Sequence, residues 1–173
     1  MTDLSPEGAP QLAPALAALT GSGGYFEDFQ VGQRMAHARA ATVGEVENGW
    51  MSKLVMNTAQ AHWNEHYLRG GPLGEGRVVF GLITASVVIG LSSQDTAENA
   101  LAELSLDRLR FLAPVHHGDT LRAFTEVVGV EDDPGRPDGG RVRFHHWGLT
   151  QDDRVVFEGD RTVLIKRRSH WSR

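Results

Sequence analysis

Four side chains that could exchange protons or hydrogen bonds lie close together between residues 57 and 66. Asn57 and His62 are five residues apart, and Glu65 and His66 follow within the next helical turn. An imidazole can take or give a proton near neutral pH, and an amide or a carboxylate beside it can orient a water molecule. This pattern predicts general acid–base chemistry at residues 57–66.

The polar cluster precedes a mostly apolar segment, from Leu82 to Leu91. Its apolar residues cover nearly every angle of a helical wheel, so we expect a helix that is buried on all sides. Gly81 stands at the start of this helix, where a glycine lets a ligand approach the backbone. The free N–H groups of the first turn attract negative charge, which makes Gly81 a candidate donor to an anionic intermediate.

The segment before the cluster must bring it to the buried helix. A first strand is predicted from Met35 to Val43 by its pattern and by the turn that precedes it. A helix is predicted to start at Thr42, as N-cap, with Glu45 as its capping-box partner, and to run toward Met56. Asn57 would then lie at or just beyond the end of this helix.

The segments after Asn57 predict both helical turns and strands. His62–Arg69 has the pattern of one or two helical turns, which would place His62 and Glu65 on the same helical face. From Ala100 onward the segments have the length and composition of strands, at residues 100–112, 120–131, 141–151 and 154–166. We therefore expect an α+β fold in which an antiparallel sheet wraps round the buried helix.

Length and composition exclude several classes of protein. The 173 residues are 40% hydrophobic, which suits one domain. We place that domain at residues 25–168, between a disordered N-terminal tail, 1–24, and a C-terminal tail, 169–173. The net charge of −5 and the scattered basic residues argue against a nucleic-acid partner. The Ala-rich stretch 12–19 predicts neither a signal peptide nor a membrane span, and the lack of cysteine fits the cytoplasm.

The order of elements resembles the hot-dog fold, and specifically the MaoC-like (R)-specific enoyl-CoA hydratases. Their motif, Gly-Asp-x-Asn-Pro-x-His, has a catalytic Asp and a His five residues apart, and nearly twenty residues later a glycine starts the central helix. Here Asn57 takes the Asp position, His62 the His position and Gly81 the helix glycine position. The resemblance covers about residues 25–168. The segment Asn-Thr-Ala-Gln-x-His looks like the branch associated with mesaconyl-CoA-type hydration of a branched dicarboxylic thioester.

The resemblance implies reversible hydration of an enoyl-CoA thioester, with coenzyme A as part of the substrate and no other cofactor. In such a site a carboxylate and an imidazole hold one water; one removes its proton and the other protonates the carbon alpha to the thioester. The amide of Asn57 can orient water by accepting a hydrogen bond, but it cannot take the proton. Either His62 acts twice, or a carboxylate, Glu65 first and Glu47 second, replaces the missing group.

Candidate substrate-binding residues comprise one aromatic side chain beside the helix glycine and several cations: Phe80, Arg77 with Arg39 and Arg69 as alternatives, and Lys166 with Arg167. A dicarboxylic substrate would need a cation for its distal carboxylate. The basic run at the end of the last predicted strand could meet the phosphates of coenzyme A. An open edge strand predicts a homodimer or a higher homo-oligomer, with active sites at the subunit interface.

Three alternatives remain open. His62-Trp-Asn-Glu65-His66 is a literal His-x-x-Glu-His, the pattern of inverted zinc peptidases, which makes a zinc-dependent hydrolase a remote alternative. A thioesterase needs an acidic residue in the first turns of the buried helix, and residues 82–93 contain none. An acyl-CoA-binding protein would keep the fold without the reaction, consistent with Asn57 in the Asp position.

Two further pairs of histidines lie outside the motif. His116 and His117 are adjacent, as are His145 and His146, and neighbours on a strand point opposite ways. Such pairs make poor bidentate metal ligands. We therefore expect them to be surface or interface residues.

Overall fold

A computed structural model describes residues 23–73 and 76–171. The helices and strands, in chain order, are β1 (Arg34–Thr42), α1 (Glu45–Leu54), α2 (Glu65–Leu68), α3 (Gly81–Thr96), β2 (Ala100–Phe111), β3 (Thr120–Asp132), β4 (Gly139–Leu149), β5 (Val155–Lys166) and α4 (Arg168–Trp171). Two 3₁₀ turns, Phe26–Asp28 and Gln60–His62, precede β1 and α2. The tail predicted at 1–24 lies, up to residue 22, outside the described residues.

The five strands form one antiparallel sheet in the order β1-β3-β4-β5-β2. Strands β3, β4 and β5 are consecutive neighbours, whereas β2 crosses over to pair with β5. This order leaves β1 and β2 as the two edges of the sheet. All five strands lie within two residues of the predicted bounds at either end, so the strand prediction is confirmed.

α3 packs across one face of the sheet, against β1, β3, β4 and β5. Strand β4 shows why, because Val142, Phe144 and His146 are buried and alternate with more exposed residues along the strand. Gly148 continues the buried series, and a Cβ atom there would lie 2.4 Å from a side-chain carbon of Val88 in α3. The glycine therefore allows the helix to approach the sheet closely.

α1 begins later than the sequence predicted. Thr42 is the last residue of β1, and its hydroxyl is 2.8 Å from that of Thr120 on the neighbouring strand. Val43 is buried, and its N–H donates to a backbone carbonyl in the loop before β3, so the chain is still held by the sheet at this point. Gly44 is the N-cap residue of α1. The predicted capping box of Thr42 and Glu45 is therefore wrong.

α3 starts at Gly81 as predicted, but the prediction that it is buried on every side is wrong for one face. Leu82, Ser86 and Gly90 are exposed and follow one another at intervals of four residues, so they form a stripe along the helix. Leu82 is 49% exposed. Within the described part of the chain, no helix is both long and apolar enough to cross a membrane.

The chain does not leave the domain at residue 168. Trp171 in α4 donates its indole N–H to the carbonyl oxygen of Asp138 at 3.0 Å. Arg168 forms an ion pair with Asp28 near the start of the described chain. The predicted boundary between domain and C-terminal tail therefore falls inside α4.

Candidate active site

His62 ends a 3₁₀ turn that is tied to the segment leading into α3. The N–H of Val78 donates to the carbonyl oxygen of Ala61 at 3.0 Å, and Nδ1 of His62 lies 2.9 Å from the carbonyl oxygen of Val78. A carbonyl oxygen can only accept, so Nδ1 carries a proton, and in the neutral ring Nε2 keeps its lone pair. His62 is therefore held in a tautomer that can act as a general base through Nε2.

His62 borders a cleft of about 450 Å³ at the N-terminus of α3. The walls are mostly apolar and include Val79, Phe80, Leu82, Phe111, Leu112 and Val156. Gly81 also lines the cleft, and the side chain of the N-cap residue, Phe80, makes no hydrogen bond to this end of the helix. Because the first N–H groups of a helix lack intrahelical acceptors, they can stabilise negative charge that develops in the cleft. The cleft thus combines a base, apolar walls and an anion-stabilising helix end.

Hydrogen bonds at the C-terminus of α1 position Asn57. Its N–H donates to the carbonyl oxygen of Ser52 at 2.8 Å, and the N–H of Met56 donates to that of Lys53 at 3.0 Å. Together with the left-handed φ of 54° at Met56, these bonds form a Schellman motif. The side-chain oxygen of Asn57 accepts from the N–H of Ala59 at 2.9 Å. The amide hydrogens of Asn57 are therefore the groups it can offer to a bound molecule.

Asn57 lines a second cavity, of about 400 Å³. Phe80 and Leu82 line both this cavity and the cleft of His62, so the two polar residues lie on either side of the same pair of apolar side chains. The structure thus brings four predicted site residues, Asn57, His62, Phe80 and Gly81, together around the start of α3.

Glu65 and Arg77 lie elsewhere. The backbone of Trp63, with φ −150° and ψ 0°, separates the turn of His62 from α2, so the predicted common helical face of His62 and Glu65 is wrong. Nε of Arg77 donates to Glu65 at 3.2 Å, and the same guanidinium pairs with Glu45. These three charged residues line an open cavity of about 530 Å³ that does not include His62.

The same break removes the geometric basis of the zinc-peptidase interpretation. That pattern requires both imidazoles and the carboxylate on one helix, whereas His62 belongs to a 3₁₀ turn and Glu65 and His66 to α2. Nδ1 of His62 and the carboxylate of Glu65 are also engaged, with Val78 and Arg77 respectively. In residues 23–73 and 76–171 no three His, Asp or Glu side chains are grouped to hold a metal ion.

Lys166 and Arg167 lie at the far end of β5. Val156, near the start of that strand, lines the cleft, and ten residues of extended chain span roughly 33 Å. The ammonium of Lys166 lies 5.4 Å from the centre of the Trp171 ring, and Arg167 pairs with Asp132. The structure therefore does not bring these two cations to the cleft of their own chain.

Sequence reasoning missed Asn48, a fully buried residue in the middle of α1. Its side-chain oxygen accepts from the N–H of Phe80 at 2.9 Å. Its Nδ2 lies 3.2 Å from the carbonyl oxygen of His62, 3.3 Å from that of Val78 and 2.9 Å from Nε2 of His117. The available signal was its type: asparagine is a poor residue for a helix interior unless its side chain has partners.

The prediction that both histidine pairs are surface or interface residues is wrong for His146. His117 is partly buried, and its pKa is below the ordinary value because burial, and then the nearby charge of Arg77, disfavour the imidazolium. His146 is 1% exposed. His145 does point the opposite way, as strand geometry predicts, and its Nδ1 lies 2.7 Å from the carboxylate of Asp160.

Comparison with known proteins identifies sequence relatives that cover most of the chain. A family model for mesaconyl-CoA hydratase matches residues 51–167. The β-methylmalyl-CoA dehydratase of Chloroflexus aurantiacus is 31% identical over 97% of this chain and 51% of its own length. The (R)-specific enoyl-CoA hydratase of Rhodospirillum rubrum is 29% identical over 83% of this chain and 93% of its own length. The chain thus spans about half the length of the first of these relatives.

Solved structures share the fold. A MaoC domain protein from Chloroflexus aurantiacus superposes with a TM-score of 0.80 at 31% identity, over 87% of this chain and 47% of that one. A Mycobacterium tuberculosis protein with a double hot-dog fold superposes with a TM-score of 0.75 at 26% identity, over 87% of this chain and 46% of that one. The α+β hot-dog class predicted from the sequence is therefore confirmed.

Proposed function

Because the chain belongs to the mesaconyl-CoA hydratase family, we propose that it adds water reversibly across the double bond of an enoyl-CoA thioester. The observation that carries this proposal is the position of His62. Its Nδ1 donates to the carbonyl oxygen of Val78, so Nε2 is the basic nitrogen of the neutral ring, and the ring borders an apolar cleft that also includes Gly81 at the N-terminus of α3. A base and a backbone donor beside one apolar space are the two groups that enolate chemistry requires.

In the hydration direction, Nε2 of His62 removes a proton from water, whose oxygen bonds to the β-carbon of the substrate. The electron pair of the double bond shifts toward the thioester, whose oxygen gains negative charge and is stabilised by the N–H of Gly81. The protonated His62 then gives its proton to the α-carbon. One water molecule has been added, and the base is restored.

His62 acts twice in this mechanism because the other candidates are placed differently. Glu65 pairs with Arg77 in the neighbouring cavity, and Asn57 cannot take a proton. Asn57 lines the adjoining cavity, which shares Phe80 and Leu82 with the cleft of His62, so we propose that its Nδ2 group donates to the oxygen of water or of the product hydroxyl from that side, since its own oxygen already accepts from Ala59. We therefore assign Asn57 an orienting role as a hydrogen-bond donor.

The acyl chain that fits this cleft best is uncharged. Its walls include Val79, Phe80 and Leu82, and a carboxylate loses its hydration among such side chains. Arg77, which the sequence offered as a partner for a distal carboxylate, is held between two glutamates outside the cleft. A dicarboxylic substrate such as mesaconyl-CoA would then need a cation from a second subunit.

We place that second subunit along β2. Within the described residues, β2 pairs only with β5 and carries the exposed side chains Leu104, Leu106 and Phe111. Phe111 also lines the cleft, so pairing of β2 with β2 of a second copy would build one continuous sheet and bring the partner to the active site. Light scattering at micromolar concentration should report a dimer, and an active monomer would contradict this assembly.

The decisive assay compares substrates that differ in charge. Crotonyl-CoA, tiglyl-CoA and mesaconyl-CoA are incubated with the protein, and the loss of the conjugated thioester absorbance is followed. In tiglyl-CoA a methyl group replaces the distal carboxylate of mesaconyl-CoA, so this pair isolates the effect of charge. We expect hydration, with tiglyl-CoA preferred over mesaconyl-CoA. No turnover of any substrate would contradict the hydratase, whereas a preference for mesaconyl-CoA would contradict only the uncharged acyl chain.

An acyl-CoA-binding protein without catalytic activity is the second candidate. It is favoured by Asn57 in the position where the family motif has a carboxylate, and by the placement of Glu65 outside the cleft. Equilibrium binding of a saturated acyl-CoA without turnover of any enoyl-CoA would support this alternative.

A further inference from the structure

We propose that Asn48 is a positioning residue of this site: its buried amide, completed by the ring of His117, fixes both His62 and the start of α3. The kinetic test of this inference rests on the hydration reaction proposed above, whereas its spectroscopic test does not. Neither side chain lines the cleft, so both act through other residues.

The orientation of the Asn48 amide is set by backbone groups whose roles cannot change. The N–H of Phe80 can only donate, so the atom that it contacts at 2.9 Å is the side-chain oxygen. The carbonyl oxygens of His62 and Val78 can only accept, so they face Nδ2. Rotating the amide by half a turn would break all three contacts in a fully buried place, and this cost fixes the orientation.

This one side chain connects the base to the anion-binding helix end. The carbonyl oxygen of Val78 accepts both from Nδ2 of Asn48 and from Nδ1 of His62, so Asn48 helps to hold the acceptor that selects the tautomer of His62. The side-chain oxygen of Asn48 holds the N–H of Phe80, one residue before Gly81. A shift of the amide would therefore move the base and the backbone donor relative to each other.

His117 completes the arrangement only while it is neutral. Its Nε2 lies 2.9 Å from Nδ2 of Asn48, which is a donor, so Nε2 must accept and the proton must be on Nδ1. A doubly protonated ring would place N–H against N–H. The charged and titratable groups that act on this ring are Arg77, Glu45, Glu65 and His116. Protonation of a residue that does not line the cleft would thus loosen the alignment of His62 and Gly81.

The first test is a pH–rate profile of kcat/KM for wild type and His117→Gln. Glutamine can supply an oxygen acceptor near the place of Nε2, but it does not titrate. In wild type, kcat/KM should fall at acid pH by more than tenfold per pH unit, because both His62 and His117 must be unprotonated. In His117→Gln the decline should approach tenfold per unit. His170→Gln, at an exposed position in α4, is the control, and it should keep the wild-type profile.

An unchanged steepness in His117→Gln would overturn the role of His117. So would a loss of activity that is equal at every pH, because that is what a merely structural contact would produce. Asn48→Ala should lower kcat about 10²-fold with little change in KM, since small displacements of catalytic groups have effects of this size. A folded Asn48→Ala protein with wild-type kcat would overturn the proposal.

The second test does not need turnover and also covers the case in which Asn48→Ala fails to fold. Nitrogen–proton correlation spectra of the imidazole rings report which nitrogen carries the proton. At neutral pH both His62 and His117 of wild type should be protonated at Nδ1, the less common tautomer in water. A His117 ring protonated at Nε2 would overturn the inference. If no enoyl-CoA is hydrated, the proposed function fails, and the spectra alone decide the role of Asn48.

Discussion

The ring of Phe111, the last residue of β2, lies directly against Gly81, the first residue of α3. Two of its ring carbons are 3.0 Å from the place that a Cβ atom on Gly81 would occupy. Gly81 does not have a positive φ, so glycine is required here for space and not for backbone conformation. The contact joins the edge strand, where we place the second subunit, to the helix end that would bind the thioester oxygen.

The first prediction concerns this contact. Gly81→Ala should lower kcat/KM about tenfold, because the new methyl group must displace the ring of Phe111 and with it one wall of the cleft. In a Phe111→Ala background the same substitution should cost much less. Kinetics of the two single variants and the double variant give a coupling free energy, which we expect to be about 1 kcal/mol. Equal costs in both backgrounds would show that the ring is not what excludes a side chain at residue 81.

The second prediction concerns the base. His62→Ala should lower the hydration rate by about 10²–10⁴-fold, the usual contribution of a positioned proton-transfer group. His66→Ala is the matched control, because this exposed imidazole lies four residues away in α2 and should leave the rate unchanged. Steady-state rates with crotonyl-CoA provide the measurement. If His62→Ala keeps its rate and Glu65→Gln is inactive, the reaction takes place in the neighbouring cavity lined by Glu65, and the assignment of His62 as the base is wrong.

The elements that the sequence predicted well are those with a local signal. The strand predicted at residues 141–151 is observed as β4, and the helix opened by Gly81 follows from one apolar run. The errors concern features that depend on neighbours distant in sequence. Thr42 has the composition of an N-cap, but the sheet holds it through Thr120, and the α1 helix starts only after the chain has left the sheet.

In the candidate site, too, the residues with a local sequence signal could be predicted and those that depend on distant neighbours could not. His62 and Gly81 could be found because their spacing resembles a known motif. The contact of Asn48 with His117 joins residues 69 positions apart, so no local pattern contains it. Glu65 does not share a helical face with His62, because the backbone at Trp63 breaks the helix that the sequence predicts. That break turns the carboxylate toward Arg77 and away from the imidazole that it was expected to assist.

The third prediction concerns stability and pH. Burial, and then the charges of Arg161, His37 and His145, lower the pKa of His146 from 6.5 to about 3. Between these values the unfolded chain binds the extra proton and the folded chain does not. Above pH 6.5 the ring is neutral in both states, so its stabilising contribution to the free energy of unfolding is fully present. The free energy of unfolding should fall as the pH drops from 6.5 toward 3, by about 1.4 kcal/mol per pH unit.

Urea unfolding at several pH values between 4 and 7 measures this dependence. His146→Gln removes the titrating ring but keeps a side chain that can bond to Thr125, the present partner of Nδ1 at 2.7 Å. Its unfolding free energy should depend less on pH than that of wild type. His170→Gln, at an exposed position in α4, is the control and should behave like wild type. The same pH dependence in all three proteins would contradict the assignment to His146.

The fourth prediction concerns the residue that departs from the family motif. In Asn57→Asp, one carboxylate oxygen can still accept from the N–H of Ala59, while the other takes the place of Nδ2 and can exchange a proton. We expect this variant to keep or raise the rate with tiglyl-CoA, since it adds a second proton-transfer group in the cavity next to the cleft of His62. With mesaconyl-CoA the rate should fall, because the new carboxylate would repel the carboxylate of the substrate.

The comparison is made on the ratio of kcat/KM for these two substrates, which cancels any general loss from altered packing. Asn57→Ala is the control: it removes the donor without adding charge, so it should lower both rates by a similar factor, smaller than that of His62→Ala. If Asn57→Asp is folded but inactive with tiglyl-CoA, the amide hydrogens of Asn57 are indispensable and cannot be replaced by a proton-accepting group. In that case this chain would use a donor where the family motif has an acid, and His62 would have to carry out both proton transfers alone.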